Sequence, residues 1–249
     1  MAESTLSLTY TDLQTAVGQF LGWGRDSTLW TTDRTAVIDE CIQEGYRRFL
    51  HPKTGYRWRF LRPTTTIATV ASDYDQDLPD DFGGIHGTFS YSSSDSTSHV
   101  IEVVSEEQIR LMRQGVTSTT GKPRYAAIRP KATDPTGGQR FEVLWFPTPD
   151  AAYTLTYSID ENMDKLSSTN LYPLGGMKHS STLRAICLAV AEETMDDNIG
   201  VKAQIADSLL AASIAIDAKD GPQTLGYNGD HSSSATGVRL SKNATVTYT

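Results

Sequence analysis

Cysteine is scarce in this chain: Cys41 and Cys187 are the 2 in 249 residues. Standing far apart, they exclude a disulfide-rich scaffold and a multi-cysteine zinc site. No apolar run approaches the length of a membrane span, so no transmembrane helix is expected. The opening residues, MAESTLSLTY, lack a basic start and an apolar stretch, so no signal peptide is expected. A basic excess is missing too. Lys and Arg number 22 against 30 Asp and Glu, a net charge of −8, which argues against an all-over basic nucleic-acid binder. These absences fit a soluble protein made and kept in a reducing compartment.

Catalytic signatures are equally thin. There is no G-x-x-x-x-G-K-[ST] phosphate loop and no G-x-S-x-G nucleophile elbow. Gly22-Trp23-Gly24 follows a helical pattern rather than a strand, so it is not a dinucleotide fingerprint. His51, His86, His99, His179 and His231 show no paired metal spacing. Asp73, Asp75 and Asp77 open like a calcium loop, but Leu78 and Gly84 stand where Gly and Glu are needed. Asp73–Asp81 is also the sole acidic turn that could suggest a glycan hydrolase, and an exposed turn is the simpler reading. The reading is therefore a non-enzyme, with no cofactor and no metal.

Acid is absent from one internal stretch. Gly45 to Ser72 contains no Asp or Glu but holds Arg47, Arg48, Lys53, Arg57, Arg59 and Arg62. That stretch carries +6, so the remainder carries −8 − 6 = −14. Tyr46, Phe49, Tyr56, Trp58 and Phe60 are interleaved with the cations. Two readings stand side by side. Arginines among aromatics can grip phosphates and stack on bases, a nucleic-acid-binding module over 46–62. Alternatively the aromatics fill a core and the arginines pair with the acidic remainder or a protein partner.

What is present is a clear succession of hydrophobic periods. Leu13, Ala16, Val17, Phe20 and Leu21 share one helix face after a T-x-x-Q capping box at Thr11 and Gln14, and Gly22 and Gly24 stop it. A second helix starts near Thr32 with Ile38, Cys41, Ile42, Gly45 and Phe49 as its stripe, and Pro52 bars its continuation. Thr64–Val70 is β-branched and reads as a strand. Tyr74–Ile85 reads as a turn or bulged connection, and Gly87–Tyr91 with His99–Val104 as the flanks of a serine-rich hairpin loop. Ser105 and Gln108 box the start of a short helix that Gly115 closes. Pro123–Ile128 is extended. Phe141–Phe146 and Tyr153–Tyr157 read as a strand pair.

Helical period returns after Gly175-Gly176. Leu183, Ile186, Cys187, Val190 and Ala191 form one stripe, and Val201, Ile205, Leu209, Ala212 and Ile216 the next. Both cysteines sit on such stripes and read as small buried hydrophobes. From Gly221 onward the chain is rich in Ser, Gly and Asn and reads as an arm that orders on a partner. The fold class is α+β. An antiparallel helical bundle is built from 1–62 and 159–220, a β-rich domain is inserted at 63–158, and 221–249 forms an extended C-terminal arm.

Several stretches, in order, resemble the head-to-tail connector (adaptor) proteins of tailed bacteriophages, the broad class that includes podovirus tail tubular proteins. They are IDECIQEGYRRFL with RWRFLRP, then YDQDLPDDFGGI, then GKPRYAAIRP with RFEVLWFPTPDAAYTLTYSIDENMDKLSS, and finally TLGYNGDHS. The resemblance implies a structural virion protein of the neck between capsid and tail. It implies a homo-oligomeric ring, dodecameric in that class, that joins the portal protein to a tail or nozzle protein. DNA passes through its channel without sequence-specific binding, and no membrane is involved. On that reading Leu225, Gly226, Tyr227 and Asn228 bind the portal. Arg47, Arg48, Arg57, Arg59 and Arg62 lie at a subunit or partner interface.

Overall fold

The computed structural model describes residues 3–95, 100–116, 119–131, 136–196 and 200–220. Helix α1 spans Tyr10–Phe20, α2 Thr32–Leu50, α3 Glu106–Gln114, α4 Met177–Asp196 and α5 Val201–Lys219. The strands are β1 (Thr64–Ala68), β2 (Asp75–Asp77), β3 (Phe82–Tyr91), β4 (Glu102–Val103), β5 (Tyr125–Pro130), β6 (Phe141–Phe146) and β7 (Thr154–Glu161). The chain is thus mixed α+β. The expected arm, with Leu225, Gly226, Tyr227 and Asn228, lies outside the described residues.

Helices α1, α2 and α4 share one apolar core, on which α5 packs chiefly through α4. Leu13, Val17, Ile38, Ile42, Phe49, Leu183 and Cys187 are among its buried side chains, the stripes the 3.6-residue period selects. The closest approach is at Gly45. A Cβ there would stand 2.8 Å from Cys187 Sγ and 2.9 Å from Cys187 Cα, so only glycine lets α2 lie this near α4. Cys41 and Cys187 are buried free thiols, and desolvation pushes the Cys187 thiol up to about 12. The chain returns from the sheets to this core through Gln43, whose side chain accepts from Leu166 N (3.1 Å) and donates to Leu166 O (2.7 Å).

The strands form two sheets in the orders β1-β7-β3 and β2-β6-β5-β4. All pairs are antiparallel except β4 with β5. Ile67, Phe82, Phe89, Leu155 and Tyr157 from the first sheet meet Ala126, Val143 and Trp145 from the second in a core of their own. The second sheet is buried on its other face as well, where Ala127 and Leu144 pack under Ile109 of α3.

Several local expectations need correcting. The capping box of α1 is Thr9 with Asp12, not Thr11 with Gln14; the Asp12 carboxylate accepts from both Thr9 N and Thr9 Oγ1. Gln14 donates instead to Asp39. Tyr74–Ile85 is not only a connection: it contains edge strand β2 and the start of β3. Residues 87–104 do not form a hairpin, because β3 joins the first sheet and β4 the second. Strands β6 and β7 do not pair either. Each is the centre of a different sheet, flanked by β2 and β5 or by β1 and β3. The alternation of β7 was legible, with Tyr153, Leu155 and Tyr157 on the buried face, but β7 is flanked by the distant β1 and β3, and β6 pairs with the preceding strand β5 and the more distant β2.

Helix α5 gives the largest reversal. The stripe expected to be its core face points outward: Val201 is 66% exposed, Ile205 44% and Ile216 40%. The buried side is Ala206, Ser213 and Asp217. Burial there is driven by polar partners that periodicity ignores. Thr182 and Ser213 hydroxyls share a 2.5 Å hydrogen bond, and Asp217 accepts two more.

Candidate functional site: the basic aromatic segment and its braces

Residues 46–62 run from the end of α2 to the threshold of β1, so they link the helical core to the first sheet. Pro52 ends the helix, Gly55 turns with φ of 71°, and a 3-10 turn at Arg59–Leu61 leads into Pro63. The aromatic rings turn inward. Trp58 is fully buried and donates its indole N–H to Phe49 O at 2.7 Å. Its ring lies 4.8 Å from Phe49, 5.3 Å from Phe60 and 5.3 Å from Tyr56. Tyr46 is buried beside them, and its hydroxyl accepts from Leu174 N. No ring of this set is left bare for base stacking.

Two side chains far away in sequence complete the cluster. His179 of α4 packs edge-on against Trp58 at 5.1 Å, and burial holds its imidazole below the ordinary value. Asp217 of α5, also buried, accepts from Tyr56 Oη at 2.7 Å and from Arg59 N at 3.1 Å. Desolvation, then the bond to Asp217, lifts the Tyr56 phenol to about 12. Asp217 is thus the acceptor that orders the turn ahead of β1.

The cations are met by carboxylates of the same chain. Arg47 pairs with Glu44 one turn earlier on α2. Arg48 bridges Glu44 (3.1 Å) and Glu193 of α4 (2.8 Å). Arg57 and Arg62 both grip Asp160 near the end of β7, Arg62 Nε at 3.1 Å. Arg59 is half-buried and pairs with no carboxylate among the described residues. Asp160 therefore ties the segment to the sheet, and Ile159 N, donating to Pro63 O at 3.2 Å, adds a backbone link.

The sequence brings five arginines to one stretch; the fold distributes four of them over three carboxylates, Glu44, Glu193 and Asp160. Asp160, Asp217 and Glu193 escaped sequence reasoning, and His179, which reads in the sequence as a surface or turn residue, is instead buried in α4. Asp217 carried one signal, an acid in an otherwise alanine- and isoleucine-rich helix. In the acidic turn Asp77 pairs with Lys131 at 2.6 Å, and among the described residues no group of His, Cys, Asp or Glu is arranged to hold a metal ion. No helix among them is long and apolar enough to cross a membrane.

A family model described as SU10 adaptor protein matches residues 8–227, which takes in both helical stretches and both sheets. The chain belongs to the SU10 adaptor protein family. No curated protein matches it. Membership agrees with the resemblance carried by the ordered motifs and implies a structural phage connector rather than an enzyme. It also implies contact with portal and tail proteins at the virion neck. For this adaptor, segment 46–62 is an internal joint between two cores, with Arg47 and Arg57 at its outer edge.

Proposed function

We propose that this adaptor is the repeating subunit of a ring, dodecameric as in the connector class, that joins the portal to the tail and continues the DNA channel. The family match over both cores is the observation that carries the reading. In this organisation 1–62 and 159–220 form the antiparallel bundle wall and 63–158 the inserted β-rich domain. Residues 221–249 form the arm, with Leu225, Gly226, Tyr227 and Asn228 its portal-binding residues. A single short arm binds weakly because ordering opposes binding, and many arms on a matched ring multiply the attachment.

Charge suits a passive channel. Outside the basic stretch the chain carries −14 (−8 − 6), so an acidic lumen repels phosphates and lets DNA slide. The exposed edge of the basic segment is available to acidic portal or tail residues. Arg47, Lys53 and Arg57 are its accessible cations, with Arg48, Arg59 and Arg62 set deeper. The buried rings weigh against the alternative, a nucleic-acid-binding module. Negative-stain imaging of the protein mixed with purified portal rings tests the proposal. Rings capping rings are expected, and loss of capping on deleting 221–249. Failure of the intact chain to bind portal in any form overturns it.

A further inference from the structure

Helix α5 is apolar on two sides and packs on one. Its inner face lies on α4 through Ala206, Leu210 and Ser213. Its outer stripe, Val201, Ile205, Leu209, Ala212 and Ile216, carries no charge over four turns. Four of these, Val201, Ile205, Ala212 and Ile216, are more than a third exposed. An uncharged helical seam of that length is what a facing helix or groove covers. At its first turn the seam adjoins α1, where Lys202 Nζ stands 5.9 Å from the Phe20 ring, itself exposed.

A matching recess opens on the other flank of the same helix. It is a groove of about 330 Å3 between α5, α4 and the end of α2. Ile186, Ala189, Ala203, Leu210, Ala211 and Ile214 give it apolar lining, and Arg48, Lys53, Glu193 and Asp207 line it as well. At about 100° of rotation per residue, the outer stripe and the groove-lining residues of α5 point roughly 170° apart. A ridge and a recess on opposite flanks of one element are what a head-to-tail contact needs, since each copy offers one to each neighbour. A self-complementary pair would instead place both on one patch.

We infer that the outer stripe of α5 seats in the α2–α4–α5 groove of the next copy, so that α5 is the side-to-side seam between subunits. This rests on the ring reading above and goes further, because it assigns the two surfaces and the polarity. A second copy is the occupant favoured here: the stripe is apolar, the groove offers apolar side chains among its charged ones, both flank one helix, and they differ in shape as ridge and recess.

The test uses two full-length variants, Ile205→Asp on the stripe and Ala211→Glu in the groove. Both positions are exposed, so each monomer keeps its circular-dichroism spectrum and melting temperature. Native mass measurement follows assembly, alone and on purified portal rings. Each variant is expected to weaken self-association by roughly 100-fold or more, the consequence of burying a charge in an apolar seam. Mixed one to one, the variants are expected to form a dimer and stop, through the intact groove of one and the intact stripe of the other. Wild-type rings with variant rings equally stable overturn the seam and leave the ring reading standing. Normal rings from Ile205→Asp that fail to hold portal assign the stripe to the portal instead. Dimers from Ala211→Glu alone show stripe-to-stripe pairing and overturn the polarity. Wild type that stays monomeric both alone and on portal overturns the ring reading and the seam together.

Discussion

Residues 46–62 fold their rings inward and give most of their cations to carboxylates of the same chain, whereas α5 keeps an uncharged apolar stripe on its outer side. The first segment has met its own requirements inside the monomer. The second has not, because exposed Val201, Ile205 and Ile216 gain nothing from water. Availability to a partner follows from what the monomer leaves unsatisfied, not from how conspicuous a segment's composition is. A cluster of arginines and aromatics draws attention, yet Asp160, Asp217 and Glu193 answer it internally.

That contrast can be broken at graded points. The largest effect is expected at Trp58. Trp58→Ala empties the centre of the aromatic cluster and orphans Phe49 O, which should cost about 3–5 kcal/mol of unfolding free energy in a urea titration. A loss under about 1 kcal/mol would mean that the segment is not a packed joint. Asp217→Ala comes next. It strips the shared acceptor from Tyr56 Oη and Arg59 N, and about 2 kcal/mol of destabilisation is expected.

The third effect depends on pH. Burial holds the His179 imidazole below its ordinary 6.5, so the native state favours the neutral ring more than the unfolded chain does. Stability from this group is present above pH 6.5 and is lost as pH falls below it. Desolvation is the largest cause and Lys178 adds to it, while Asp217 and Asp220 pull the other way without cancelling the shift. Melting temperature should fall between pH 7 and 5, and His179→Phe should flatten that slope; an unchanged slope would place the acid sensitivity elsewhere. The smallest effect belongs to Arg57→Ala. Its side chain is 70% exposed, so its pair with Asp160 should be worth no more than about 0.5 kcal/mol by chemical denaturation. The same variant, assayed for portal retention, sharpens the comparison by showing whether the outer edge of 46–62 has a partner at all.

Much of this was legible in residue order. The stripes of α1, α2 and α4, apart from the exposed Phe20, and the buried alternation of β7 appear as periodicity and sit where periodicity places them. The Ser105–Gln108 capping box opens α3 as read. Local chemistry sufficed there because each element meets a single apolar environment. Sheet partners were not legible. Phe141–Phe146 and Tyr153–Tyr157 are neighbours in sequence and look like a hairpin, but the first pairs with the preceding β5 and with β2, and the second with the remote β1 and β3. Nor was the orientation of α5, since a helix with apolar residues on every side has no unique periodic face. There a hydroxyl pair and a buried aspartate decide which side turns in.

The sequence by itself determined the order of helical and extended segments, the poverty of catalytic motifs and the family, because these depend on local spacing and ordered motifs. The tertiary structure alone decided that four of the five arginines of 46–62 meet carboxylates of the same chain and that the outer stripe of α5 is left exposed. Pairing of Arg57 and Arg62 with Asp160, or of Tyr56 with Asp217, spans about a hundred residues or more of chain. Only the packed fold can place such charges within reach, and only it shows which apolar surface is left over.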